Sequence, residues 1–88
     1  MTIQFYIYCS TKSIIVSDKD ALEACFDFSN EYRHLVEPAC GAALSLVYNP
    51  LYKSKYCNQY KNVVVIVCGG SAVSIDLLQK WKEQLILL

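Results

Sequence analysis

Apolar and polar positions along the chain predict the order strand, helix, helix, strand, helix. The clearest signal is Val63-Val64-Val65-Ile66-Val67, five β-branched residues with no polar interruption. Such a run fits a strand buried on both faces, as in a parallel sheet covered by helices. Ile14-Ile15-Val16 reads as a second, shorter strand of the same kind, and Ile3 to Tyr8 as a short β-prone stretch. Ala21, Leu22, Cys25, Phe28 and Tyr32 recur at helical spacing and predict a helix from Asp18 to Arg33. Ser17 is its N-cap, and Asp18 and Asp20 suit the positive end of its dipole. Pro38 to Tyr48 is apolar nearly all round and predicts a buried helix, opened by Pro38 and ended by Asn49-Pro50. Gly41 inside it costs about 1 kcal/mol against alanine, which close approach of a neighbour would justify. Leu77, Leu78, Trp81 and Leu85 form the stripe of a last helix, with Lys80 and Lys82 facing water and Ser71 or Ser74 as cap. Two β-branched runs joined by helices call for a crossover, so Val63 to Val67 is expected to pair in parallel with Ile14 to Val16.

The chain has 88 residues, enough for one small domain, of which 55% are hydrophobic and 18% charged. So apolar a composition in so short a chain suggests that part of a larger core lies elsewhere, and a homodimer would account for it equally well. The formal net charge is zero. Nothing electrostatic points to nucleic acid or to an anionic membrane. Tyr52, Tyr56 and Tyr60 interleave with Lys53, Lys55 and Lys61, a pattern that can stack on single-stranded nucleic acid. With no net positive charge, a solvated connection or a surface helix whose tyrosines cover the core is the better reading. No apolar run is long enough to span a bilayer, and the start lacks the marks of a signal peptide.

Candidate chemistry gathers where the Val63 run stops. Cys68, Gly69 and Gly70 follow it directly, at what would be the carboxyl end of a strand. In open α/β sheets that edge binds ligands, and glycines let backbone approach them closely. The bland reading of Cys68 is a small hydrophobe at a strand end. There are five cysteines, Cys9, Cys25, Cys40, Cys57 and Cys68, with no Cys-x-x-Cys pair, and His34 is the only histidine. No metal site is expected from these, and scattered free thiols suit a reducing compartment, the cytosol. His34, at the end of the first helix, could be a general base, but no serine or cysteine partner is placed by spacing. Gly69-Gly70 supplies only an adjacent pair, short of the Gly-x-Gly-x-x-Gly needed for a dinucleotide module.

Val36-Glu37-Pro38-Ala39-Cys40-Gly41-Ala42-Ala43-Leu44 and Val64-Val65-Ile66-Val67-Cys68-Gly69-Gly70-Ser71 together resemble the C-terminal part of L-serine dehydratase, also called L-serine ammonia-lyase. The likeness runs from about Ile15 to Leu85, and residues 1–14 remain unassigned. The resemblance implies a pyridoxal-phosphate enzyme of the tryptophan-synthase β-like fold, fold type II. Residues 15–88 would then be the C-terminal part of its large domain, an α/β, partial three-layer αβα arrangement with parallel strands. It implies that Cys68 sits against the pyridine nitrogen of pyridoxal 5'-phosphate, with Gly69 beside it. It also implies that the Schiff-base lysine and the glycine-rich phosphate loop lie upstream of the matched part, so that no catalytic residue is assigned in this chain. Lys12, in Ser10-Thr11-Lys12, lacks the surrounding pattern of the lysine motif, and Ala72 stands where the family usually has Asn. The implied reaction is β-elimination of L-serine, and of L-threonine, to ammonia and a 2-oxo acid. Two outcomes stay open for the chain itself: an enzyme piece inactive alone, or a non-catalytic fragment that associates with intact subunits or is an unstable remnant.

Overall fold

The computed structural model describes residues 12–70 and 73–87, the last two by backbone only. Helix α1 spans Asp18–Tyr32, α2 Pro38–Tyr48, α3 Pro50–Tyr52 and α4 Ile75–Leu87. A π-helical turn, Lys53–Cys57, continues directly from α3.

The ends of these helices follow from local chemistry. Ser17 Oγ accepts from the Asp20 amide at 3.1 Å and starts α1. Arg33 closes it in the left-handed region, φ 58°, and its N–H reaches the Ser29 carbonyl at 2.8 Å. Pro38 opens α2. Asn49 joins α2 to α3, its Oδ1 accepting from the amides of Leu51 at 3.0 Å and Tyr52 at 3.4 Å. Ser74 Oγ accepts from the Leu77 amide at 3.1 Å and caps α4. The alternative cap, Ser71, lies outside the described residues, as does the Ile3–Tyr8 stretch.

The core is built where α1, α2 and α4 meet. Leu22, Ala24 and Cys25 of α1, Cys40 and Leu44 of α2, Leu78 of α4 and the loop residue Val36 are buried together. Phe26, Phe28, Trp81 and Leu85 pack around them half-buried. Gly41 sets how close α1 and α2 come. A Cβ there would overlap the Ala21 carbonyl oxygen and stand 2.5 Å from Cys25 Sγ. The helix tolerates a glycine because its neighbour leaves no room for a methyl group. The tyrosine-rich stretch is a surface helical segment tied back onto α1. Tyr52 Oη donates to the Asp20 carboxylate at 2.7 Å, and Cys57 Sγ donates to the Leu46 carbonyl at 3.3 Å. Lys82, expected in water, lays its Nζ 5.2 Å from the centre of the Phe26 ring.

The α/β expectation is overturned. Among the described residues there is no β-strand and no sheet, so no αβα layer forms and Val63–Val67 does not pair with Ile14–Val16. A strand exists only through its ladder, and among the described residues neither aliphatic run meets a partner. Ile15 is 93% exposed. The Val63 run still keeps the two-residue rhythm of a strand. Val63, Val65 and Val67 line a groove with Phe28, Leu44 and Tyr48, while Val64 and Ile66 are 89% and 78% exposed. Among the described residues no backbone–backbone hydrogen bond involves residues 63–67. Among the described residues the segment therefore has one side laid on α1 and α2 and no backbone ladder to another segment, and Val64 and Ile66 face outward.

Candidate functional site

Cys68, Gly69 and Gly70 lie at the end of that segment and are fastened to the start of α2. The Cys68 amide donates to Cys40 Sγ at 3.3 Å, and the Glu37 amide donates to the Gly69 carbonyl at 3.3 Å. The Val73 amide then donates to the Gly70 carbonyl at 3.2 Å and turns the chain toward α4.

The two glycines are needed for different reasons. Gly69 has φ +107°, where side chains are strained, although a Cβ would meet nothing within 4 Å. Gly70 is a close approach, since a Cβ there would stand 2.5 Å from the Leu35 carbonyl oxygen. The space next to Gly69 is thus open, and the backbone beside it is fixed.

Three thiols surround the turn that begins α2. Cys25 is fully buried and donates to the Glu37 carbonyl at 3.6 Å. Burial, and after it the neighbouring Cys40, push its thiol up to about 11. Cys40 is buried, and Cys68 is exposed. A hydrogen bond with the Cys40 thiol, then electrostatic repulsion from Cys40, holds Cys68 above the ordinary thiol range. At neutral pH Cys68 is therefore a neutral thiol, a weak hydrogen-bonding group and a poor nucleophile.

The other candidates are exposed to solvent. His34 is exposed on the loop after α1. Lys12, Lys19, Lys53, Lys55, Lys61 and Lys80 are exposed as well. Among the described residues no group of histidine, cysteine and carboxylate side chains is arranged to hold a metal ion. No helix among them is long and apolar enough to cross a membrane. A second groove, lined by Val16, Leu22, Pro38, Ala42 and Trp81, runs between α1, α2 and α4 and does not include Cys68. The partnership of Cys40 and Cys68 is not legible in their spacing. They are 28 residues apart, and the only sequence signal touching both is the pair of stretches that carries the family likeness.

The fastened thiol and glycine turn gives a candidate ligand-facing edge on a chain of packed helices. Comparison with known proteins says which proteins carry the same stretch. The chain is 46% identical to L-serine dehydratase of Dictyostelium discoideum over 72 residues, covering 77% of this chain and 21% of that protein. It is 42% identical to the serine dehydratase-like protein of Rattus norvegicus over 82 residues, 88% of this chain and 25% of that protein. It is 40% identical to L-serine dehydratase of Saccharomyces cerevisiae over 73 residues, 78% of this chain and 22% of that protein. No protein-family model matches the chain. By sequence the chain corresponds to a part of the serine dehydratase family. It spans about a fifth to a quarter of the length of these relatives.

Proposed function

We propose that this chain is part of a pyridoxal-phosphate-dependent lyase acting on L-serine, with L-threonine as a second substrate, and that Cys68 and Gly69 form the edge that meets the cofactor's pyridine ring. The observation that carries the reading is the position of Cys68. Its thiol is exposed, with open space at Gly69, in a stretch shared with proteins named L-serine dehydratase. When bound, the cofactor would take up the electron pair released as Cα of the amino acid loses its proton.

The residues present fit one edge of that group and not the whole of it. A neutral thiol can face a ring nitrogen without donating a full proton to it, and the raised proton affinity of Cys68 keeps the thiol neutral at physiological pH. Gly69 leaves room for a ring to approach. Holding the cofactor also takes an amine and a set of donors around its phosphate. Six of the seven described lysines are exposed to water, and the seventh, Lys82, lies over the Phe26 ring. On this reading the chain is inactive by itself and acts in the cytosol as part of a larger site.

A second reading is favoured by one observation, that Val63–Val67 has no ladder partner among the described residues while Val64 and Ile66 are exposed. A segment of this kind adds readily to an exposed sheet edge of another polypeptide. The chain would then be a non-catalytic companion of intact dehydratase subunits. The two readings separate in one experiment. The chain is co-expressed either with a full-length serine dehydratase or with a dehydratase fragment that ends where this chain's match begins. Pyruvate formation restored to the fragment supports a cofactor-site role. Co-purification with the full-length enzyme without any gain in activity supports the companion role.

A further inference from the structure

One contact at the turn is not used by the proposed chemistry. The Cys68 amide lies 3.3 Å from Cys40 Sγ. Cys68 Cα is one bond of about 1.46 Å beyond that nitrogen, so it lies within about 4.8 Å of the Cys40 sulfur. The Cys40 sulfur thus sits beside the Cys68 backbone, and the Cys68 and Cys40 thiols are hydrogen-bonding neighbours as well. The pair is also unequal in access, Cys40 being 7% exposed and Cys68 open to solvent.

We propose that Cys40 and Cys68 form an intramolecular disulfide when the chain meets a small-molecule disulfide of the oxidised-glutathione class. Cys68 attacks first, slowly at neutral pH through its small thiolate fraction, because it alone of the two is accessible. Its thiolate displaces one thiol from the small disulfide and forms a mixed disulfide. Cys40 Sγ, already beside it, attacks the Cys68 sulfur and expels the second thiol. The two cysteines lose one hydrogen each, the small disulfide gains both, and it leaves as two thiols. The neighbouring thiols are engaged elsewhere, Cys25 with the Glu37 carbonyl and Cys57 with the Leu46 carbonyl. The bridge would fix the Val63 segment to the start of α2. It would also remove the Cys68 thiol from the edge proposed to meet the cofactor, although the bridge itself does not depend on that proposal.

The test is to incubate the full chain, reduced, with oxidised glutathione under native conditions and in denaturant, then map the disulfides by peptide mass spectrometry. Under native conditions a Cys40–Cys68 bridge should dominate, with a loss of two hydrogen atoms. Its rate should rise with pH as the Cys68 thiolate forms. Cys40→Ser should stop at a glutathione adduct on Cys68, Cys68→Ser should form no bridge at Cys40, and Cys57→Ser should change nothing. In denaturant the cysteines should pair without that preference. A native pairing pattern matching the denatured one, or a dominant bridge through any other cysteine, would overturn the proposal.

Discussion

Replacing Gly41 by alanine should destabilise the fold, against the usual gain from removing a helical glycine. The added Cβ would overlap the Ala21 carbonyl oxygen, and it would stand 2.5 Å from Cys25 Sγ and 3.0 Å from the Ala21 carbonyl carbon. A sulfur at the end of a side chain can turn away, but a backbone carbonyl inside α1 cannot. The two helices must therefore separate, loosening the packing of Leu22, Cys25 and Leu44. Forcing an extra carbon into a packed interface costs about 1 to 3 kcal/mol. Alanine in a helix interior returns about 1 kcal/mol over glycine. With backbone as the obstacle the cost belongs at or above the upper end, which leaves a net loss of about 2 kcal/mol. In a domain of this size that lowers Tm by roughly 10 °C. The assay is urea or thermal unfolding followed by circular dichroism, beside Ala43→Gly at an exposed position of the same helix, which should lose about 1 kcal/mol from propensity alone. Gly41→Ala matching or exceeding the parent in stability would mean that α1 and α2 do not pack at this distance.

Other consequences can be checked independently. Tyr52 donates to the Asp20 carboxylate and is the largest cause holding it below the ordinary range. The pair's contribution is therefore present above about pH 4 and fades as acid protonates Asp20, and Tyr52→Phe should shift the Asp20 carboxyl titration upward in NMR. Stability should also fall on the alkaline side. Burial raises the Cys25 thiol from 9.0 to about 11, and Tyr48 is raised by burial and by its hydrogen bond to Glu31. Raised groups of this kind support the fold fully below their unfolded values and lose that support as pH climbs through the folded ones, so pH-dependent unfolding should steepen above about pH 9 and less so in Tyr48→Phe. Val64 and Ile66 point outward, so Val64→Lys with Ile66→Lys should reduce self-association and binding of a hydrophobic dye while leaving helical circular dichroism unchanged. A parent chain that stays monomeric and binds no dye at high concentration would count against the open segment.

The parts of the fold that could be read in the sequence are those decided within a few residues. Ser17, Pro38, Asn49-Pro50 and Ser74 each act on amides or backbone angles one to four positions away, so the starts of α1, α2 and α4 and the stop of α2 were legible. Gly41 was legible too, because a glycine in an apolar helix has few reasons to be there but close packing. The sheet was not. Five β-branched residues state a preference, but a strand needs a second backbone beside it, and none of the described residues supplies one. The run kept its alternation and lost its ladder. At the candidate site, Cys68 and Gly69 were singled out by the break after the run and by the family likeness. Their anchoring to Cys40 and Glu37 comes from contacts across about thirty residues, which no local pattern encodes. The same holds for Tyr52 and Asp20, 32 residues apart.

The most direct test of the proposed role is an activity measurement by complementation. The purified chain is mixed with pyridoxal phosphate and L-serine, with and without a dehydratase fragment that carries the lysine and phosphate loop expected upstream, and pyruvate is assayed. Borohydride reduction and peptide mapping then locate the lysine that holds the cofactor. Pyruvate should appear only in the mixture, with the trapped lysine on the other fragment, and Cys68→Ala should lower the rate while leaving that lysine trapped. Pyruvate from the chain alone, lost on replacement of one of its own lysines, would contradict the proposed role, as would a restored activity indifferent to Cys68→Ala.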